Sequence, residues 1–113
     1  MDIAILSSEN TRARYKLLED KLNELIESSG CYLFYVLCGN LEGSEPRETL
    51  GELWAKKNGA PLHYISEKTT DRLLNKLFLK ADYIIFFLDG NPLINNAFMR
   101  YKMMGKHGSI IRV

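Results

Sequence analysis

The sequence is short of cysteine, of proline and of charge of one sign: two Cys, three Pro and a net charge of +1 are spread over 113 residues. Two thiols cannot staple a small extracellular scaffold. Cys31 and Cys38 fall in one apolar segment that reads as a strand. Along an extended chain they are too far apart to bridge each other, because a disulfide needs Cα atoms within roughly 7 Å. No cluster of ligand-type residues accompanies them, so the reading is two reduced, structural thiols in a cytoplasmic protein, with no zinc or other metal and no cofactor. The small net charge gives no general electrostatic pull toward nucleic acid or a membrane. Long hydrophobic runs are missing too, since the longest, Tyr83 to Leu88, is far short of a bilayer span. The opening "MDIAILSS" has neither a basic segment nor a small-residue cleavage motif, so no secretory signal is expected. Linkers, low-complexity tracts and internal repeats are also absent.

What remains is ordinary for one globular domain, 46% hydrophobic and 26% charged. Five short apolar runs alternate with four amphipathic stretches. "IAIL" precedes a helical pattern from about Thr11 to Ser28, capped by Asn10, with Tyr15, Leu18, Leu22, Leu25 and Ile26 on one face and Gly30 as the stop. "CYLFYVLC" reads as a strand buried on both faces. A second helix is predicted from about Pro46 to Asn58, with Leu50, Leu53 and Trp54 inward and Gly59 closing it. "LHYI" is a third strand. Thr69 or Thr70 caps a third helix that carries Leu73, Leu74, Leu77 and Phe78. "DYIIFFLD" is the fourth strand. A last helix from about Pro92 to Met104 places Ala97, Phe98, Tyr101 and Met104 inward, and "SIIRV" is the fifth strand. This βαβαβαβαβ order predicts an α/β fold in one domain over 1–113. It is a Rossmann-like, doubly wound parallel sheet of five strands, order 3-2-1-4-5, with helices on both faces.

In such a sheet a ligand binds outside the carboxyl ends of the strands, where the strand order reverses. The expected walls are "SSEN" after strand one, "GNLEGSEP" after strand two and "DGNPLINN" after strand four. Their Gly, Ser and Asn residues leave backbone N–H groups able to approach a ligand, and each loop feeds a helix N-terminus that favours an anion. Gly39 and Gly43 are expected to turn the chain off its strand, and Pro46 to start a helix facing the crevice. The lining predicted from these loops is Ser7, Ser8, Gly39, Gly43, Ser44, Glu48, Asp89, Gly90 and Asn95. The N–H groups of Gly43, Ser44 and Gly90 would hold phosphate or other polar oxygens, and Glu48 and Asp89 would read hydroxyls. Arg12, Arg14 and Arg47 are the nearby bases. "GNLEGSEP" is not a Walker-type loop, so a triphosphate site is not expected.

Two stretches, "EGSEPRETLGELWAKKNGAPLHYI" and "KADYIIFFLDGNPLINNAFMRYKMMGKHGSIIRV", resemble the YspA-like branch of the SLOG superfamily, Rossmann-like domains related to DprA and the LOG proteins. The likeness rests on Gly39, Gly43, Glu48 and "LGELWAKKNGAP", then on "ADYIIFFLDG" and "MMGKHGSIIRV". It spans nearly the whole chain and is weakest in the N-terminal third. Ile94-Asn95 stands where that family has a Gly-Thr step, and Glu48 stands for its usual Asp. The resemblance implies a site suited to nucleotides or nucleotide-derived molecules, as proposed for SLOG sensors. "ADYIIFFLDGN" also looks like the corresponding strand and turn of nucleoside 2-deoxyribosyltransferases. Those enzymes, like the LOG phosphoribohydrolases, carry a Glu in the helix after strand four, whereas "NPLINNAFMRYKMMG" contains no carboxylate. Glycosidic chemistry needs at least one well-placed acid.

Three functions stay open on the sequence. The favoured one is binding or sensing of a nucleotide-derived small molecule without catalysis. A glycosidic-bond enzyme is the second, and a protein-interaction domain using Met99, Met103 and Met104 is the third. His63 and His107 read as structural or solvated. No nucleic-acid platform is visible, and a homo-oligomer is expected through the helix faces.

Overall fold

A computed structural model of the chain describes residues 1–8, 11–30, 33–43, 48–105 and 107–113. The elements are β1 (Asp2–Leu6), α1 (Arg12–Ser29), β2 (Tyr35–Leu41), α2 (Leu50–Asn58), β3 (Leu62–Glu67), α3 (Thr70–Lys80), β4 (Tyr83–Leu88), α4 (Pro92–Met104) and β5 (His107–Arg112). The five strands form one sheet in the order β3-β2-β1-β4-β5, every neighbouring pair parallel. The Rossmann-like, doubly wound arrangement expected from the alternation of patterns is the one observed.

The central strands are apolar at consecutive positions because helices cover both faces of the sheet. On one face Ile3, Val36, Cys38, Ile85 and Phe87 meet Leu18 and Leu22 of α1 and Leu50 and Trp54 of α2. On the other, Ala4, Leu37, Ile84 and Phe86 meet Leu73, Leu77 and Phe78 of α3 and Ala97 and Tyr101 of α4. Burial and the charge of Glu52 push the Cys38 thiol up to about 12, which suits an inert core sulfur. Cys31 lies outside the described residues. Among the described residues no helix is long and apolar enough to cross a membrane, and no group of side chains has the make-up of a metal site.

Four local expectations are corrected. The cap of α1 is Thr11, whose hydroxyl accepts from the Arg14 N–H at 3.2 Å; Asn10, the expected cap, lies outside the described residues. Helix α2 begins at Leu50 behind a Thr49 cap, four residues after Pro46, which is itself outside the described residues. Strand β2 runs on to Leu41, and Gly39, Asn40 and Leu41 pair with Ile65, Ser66 and Glu67. Gly39 is therefore strand, not turn: backbone pairing to β3 carries β2 past the end of its apolar run. Finally, Met104 is 41% exposed although its spacing from Ala97 and Tyr101 predicts it inward, because it is the last residue of α4, directly before the Gly105 cap.

Candidate functional site

The carboxyl ends of the strands and the amino ends of all four helices meet along one edge of the sheet, α1 behind its Thr11 cap. Thr49, Thr69 and Asn91 cap α2, α3 and α4 there. Each cap takes one or two of the helix's first N–H groups: Thr49 accepts from Glu52, Thr69 from Arg72, and Asn91 from Leu93 and Ile94. The other first-turn N–H groups have no intrahelical acceptor, so the edge carries partial positive charge.

The strand order reverses between β1 and β4, where the ligand was expected. That position is occupied by the protein's own side chains. Asp89, just past β4, lies 2.9 Å from the Arg14 guanidinium of α1, and both side chains are largely buried, at 14% and 13% exposure. The Ser8 hydroxyl, just past β1, donates to the same carboxylate oxygen and accepts from Arg14 at 3.2 Å. The second oxygen of Asp89 accepts the Asn91 N–H at 3.0 Å, closing the turn into α4. The Ser8 hydroxyl, the Asn91 N–H and the Arg14 guanidinium together hold the Asp89 carboxyl down to about 2. Gly90 adopts φ 88° inside this turn, a left-handed conformation that a side chain would strain.

Open space lies beside this clamp, over β1 and β2. A cavity of about 150 Å³ is bounded by Leu6 and Ser7 from β1 and its exit, Leu37 to Gly39 from β2, Thr49 and Leu50 at the start of α2, Thr70, Leu73 and Leu74 of α3, and Ile94 of α4. Its described polar groups are the hydroxyls of Ser7, Thr49 and Thr70, set into an otherwise apolar wall. Gly39 lets α3 pack close here: a Cβ on it would stand 3.0 Å from Leu73 Cδ2, and that side chain would have to shift by a few tenths of an ångström. A larger, open groove of about 510 Å³ between α1 and α2 is lined by Thr11, Arg12, Tyr15, Leu53, Lys56 and Lys57. Its walls are mainly helix flanks, with Lys57 folded over the Tyr15 ring at 5.1 Å, and it lies off the strand ends. The crevice at the strand ends is the stronger candidate.

The sequence-derived lining is thus divided. Ser7 and Gly39 line the crevice. Ser8, Asp89 and Gly90 build the adjoining clamp. Gly43 forms an exposed turn at φ 82°. Glu48 is exposed and paired with Lys56. Asn95 is exposed on α4. Ser44 and Arg47 lie outside the described residues. Thr49 and Thr70 were missed. Thr49 had a legible signal, since Thr49-Leu50-Gly51-Glu52 has the T-x-x-E spacing of a capping box, obscured by the preference for Pro46 as the helix start. Arg14 was named only as a nearby base, because α1 had to be placed over β4 before its partner could be seen. No family model matches this chain, and no curated protein matches it.

Proposed function

We propose that the chain binds, and serves to sense, a nucleotide-derived small molecule in the crevice over β1 and β2. The observation that carries this is the meeting of that cavity with the capped starts of α2, α3 and α4, contributed by Thr49, Thr70 and Ile94. Helix N-termini favour an anionic group, and the Ser7, Thr49 and Thr70 hydroxyls can exchange hydrogen bonds with phosphate or sugar oxygens. Whole-ligand pockets run to about 300–1,000 Å³, so a crevice of about 150 Å³ takes a sugar-phosphate end and leaves a base outside. The resemblance to the YspA-like SLOG domains supports the same ligand class.

Binding is favoured over glycosidic chemistry by the condition of the nearest acids among the described residues. Asp89 is committed to Arg14, Ser8 and the Asn91 N–H, and Glu48 to Lys56. A nucleophile or general acid must be available to the substrate. Asp89 in this reading positions the β4–α4 turn and does not read ribose hydroxyls.

The test is thermal unfolding against nucleosides, mono- and dinucleotides, cyclic nucleotides, ADP-ribose and sugar phosphates. A compound at about one hundred times its dissociation constant adds roughly 2.7 kcal/mol and raises the midpoint by about 10 °C. Thr70→Phe fills the crevice and is expected to abolish the shift while the variant stays folded. No shift with any compound would sink the ligand class; an undiminished shift in Thr70→Phe would sink the location.

A further inference from the structure

The small net charge conceals a segregation that the fold reveals. Helices α3 and α4 lie on the same face of the sheet. Their exposed charges are five cations, Arg72, Lys76, Lys80, Arg100 and Lys102, against one acid, Asp71. An excess of four on two helices, in a chain of net +1, leaves the remainder net negative. Even with Glu67, which pairs with Lys76 at 2.8 Å, this face stays basic. Between the cations stand large apolar side chains turned to solvent: Met103 is 89% exposed, Leu79 71%, and Leu93 and Met99 more than half. Met99 and Met103, four residues apart, lie by helical spacing on the side of α4 away from its buried Ala97 and Tyr101. The outward side of α4 thus sets two large apolar side chains among Asn95, Asn96 and Lys102, all of them exposed.

We propose that the α3/α4 face docks on an anionic lipid surface. Its composition decides among polyanions. Protein interfaces are enriched in aromatics, Met and Arg and depleted in Lys; this face has the Met and Arg, but it also carries three exposed Lys, and its exposed large apolar residues are Leu and Met without an aromatic. Single-stranded nucleic acid asks for exposed aromatic platforms, and protruding Leu and Met would find nothing to bury against on a phosphate backbone. Leu and Met interleaved with Lys and Arg match a bilayer interface, where the apolar side chains enter the headgroup boundary and the cations meet anionic lipid. Each such cation near the surface is worth roughly fivefold in partitioning.

The experiment is co-sedimentation of the full chain with phosphatidylcholine vesicles, with and without roughly one-third phosphatidylserine. The protein is expected to sediment with the anionic vesicles only, and to be released as salt shortens the screening length. The double variants Lys80→Glu/Lys102→Glu and Leu79→Ser/Met103→Ser alter only exposed side chains. Each is expected to weaken partitioning at least about tenfold while still unfolding in one cooperative transition, the charge reversal lowering the thermal midpoint by several degrees because Lys80 and Lys102 lie in the last turns of α3 and α4. Lys21→Glu on α1 is expected to leave partitioning unchanged. Failure to sediment with anionic vesicles overturns the proposal, and so does sedimentation that neither double variant weakens. Binding to polyglutamate or single-stranded DNA without binding to vesicles overturns it in favour of another polyanion.

Discussion

Asp89 draws together Ser8 beyond β1 and Arg14 on α1, both distant in sequence, with the Asn91 N–H of its own turn. Because its carboxyl is held down to about 2, its ionised form is favoured by folding. An unfolded Asp titrates near 3.9. The stabilisation is therefore complete above about pH 4 and is lost as pH falls toward 2, through the folded value. Asp89→Asn is expected to be less stable than the parent at about pH 7, and the gap between them to close by about pH 2. Denaturant midpoints at neutral and acid pH check this, and a gap that persists in acid would mean that the carboxylate's charge is not what the clamp uses. Asp89 was legible as a site residue because an acid-Gly pair closes an apolar strand. Its role was not legible. Sequence spacing says nothing of which helix crosses the strand end, and only the crossing brings the Arg14 guanidinium to it.

At the scale of elements, apolar pattern and caps located the strands and helices where the two signals agreed. Helix α4 starts at Pro92 and ends at Met104 as expected, since Asn91, Pro92 and Gly105 mark both ends. They disagreed around β2 and α2. Polar Gly39 and Asn40 extend β2 because their backbone pairs with β3, and pairing partners are invisible to a local pattern. Strand β5 shows a constraint of the same tertiary kind. A Cβ on Gly108 would lie 2.4 Å from the Tyr101 hydroxyl and 2.5 Å from the Ile84 carbonyl oxygen. The Tyr101 ring is wedged against Phe86 at 5.0 Å, and the carbonyl belongs to the neighbouring strand's backbone. Neither can yield cheaply. Gly108→Ala is expected to cost about 1–3 kcal/mol by overpacking, or roughly 5–15 °C in thermal midpoint. An unchanged midpoint would show that β5 can slide outward at the sheet edge without penalty.

At the scale of the whole molecule, one sheet supports two cores, and their coupling can be measured because the single Trp lies in one of them. Trp54 belongs to the α1/α2 face. Phe86, fully buried, lies on the opposite face among Phe78, Phe98 and Tyr101. Replacing such a Phe by Ala costs about 3–5 kcal/mol, a large part of the roughly 5–15 kcal/mol that stabilises a domain. The two faces share the backbones of β1, β2 and β4, whose successive residues point alternately into each core. Loosening one face therefore strains the strands that hold the other. Phe86→Ala is expected to lower the urea midpoint reported by Trp54 fluorescence as much as that reported by far-ultraviolet circular dichroism, with one coincident transition. If the Trp54 signal kept its original midpoint while helical signal was lost earlier, the α3/α4 layer would be an independently unfolding unit. That layer also carries the exposed Leu79, Leu93, Met99 and Met103 and the excess positive charge. A cooperative result would then mean that whatever covers this face stabilises the α1/α2 side of the sheet as well.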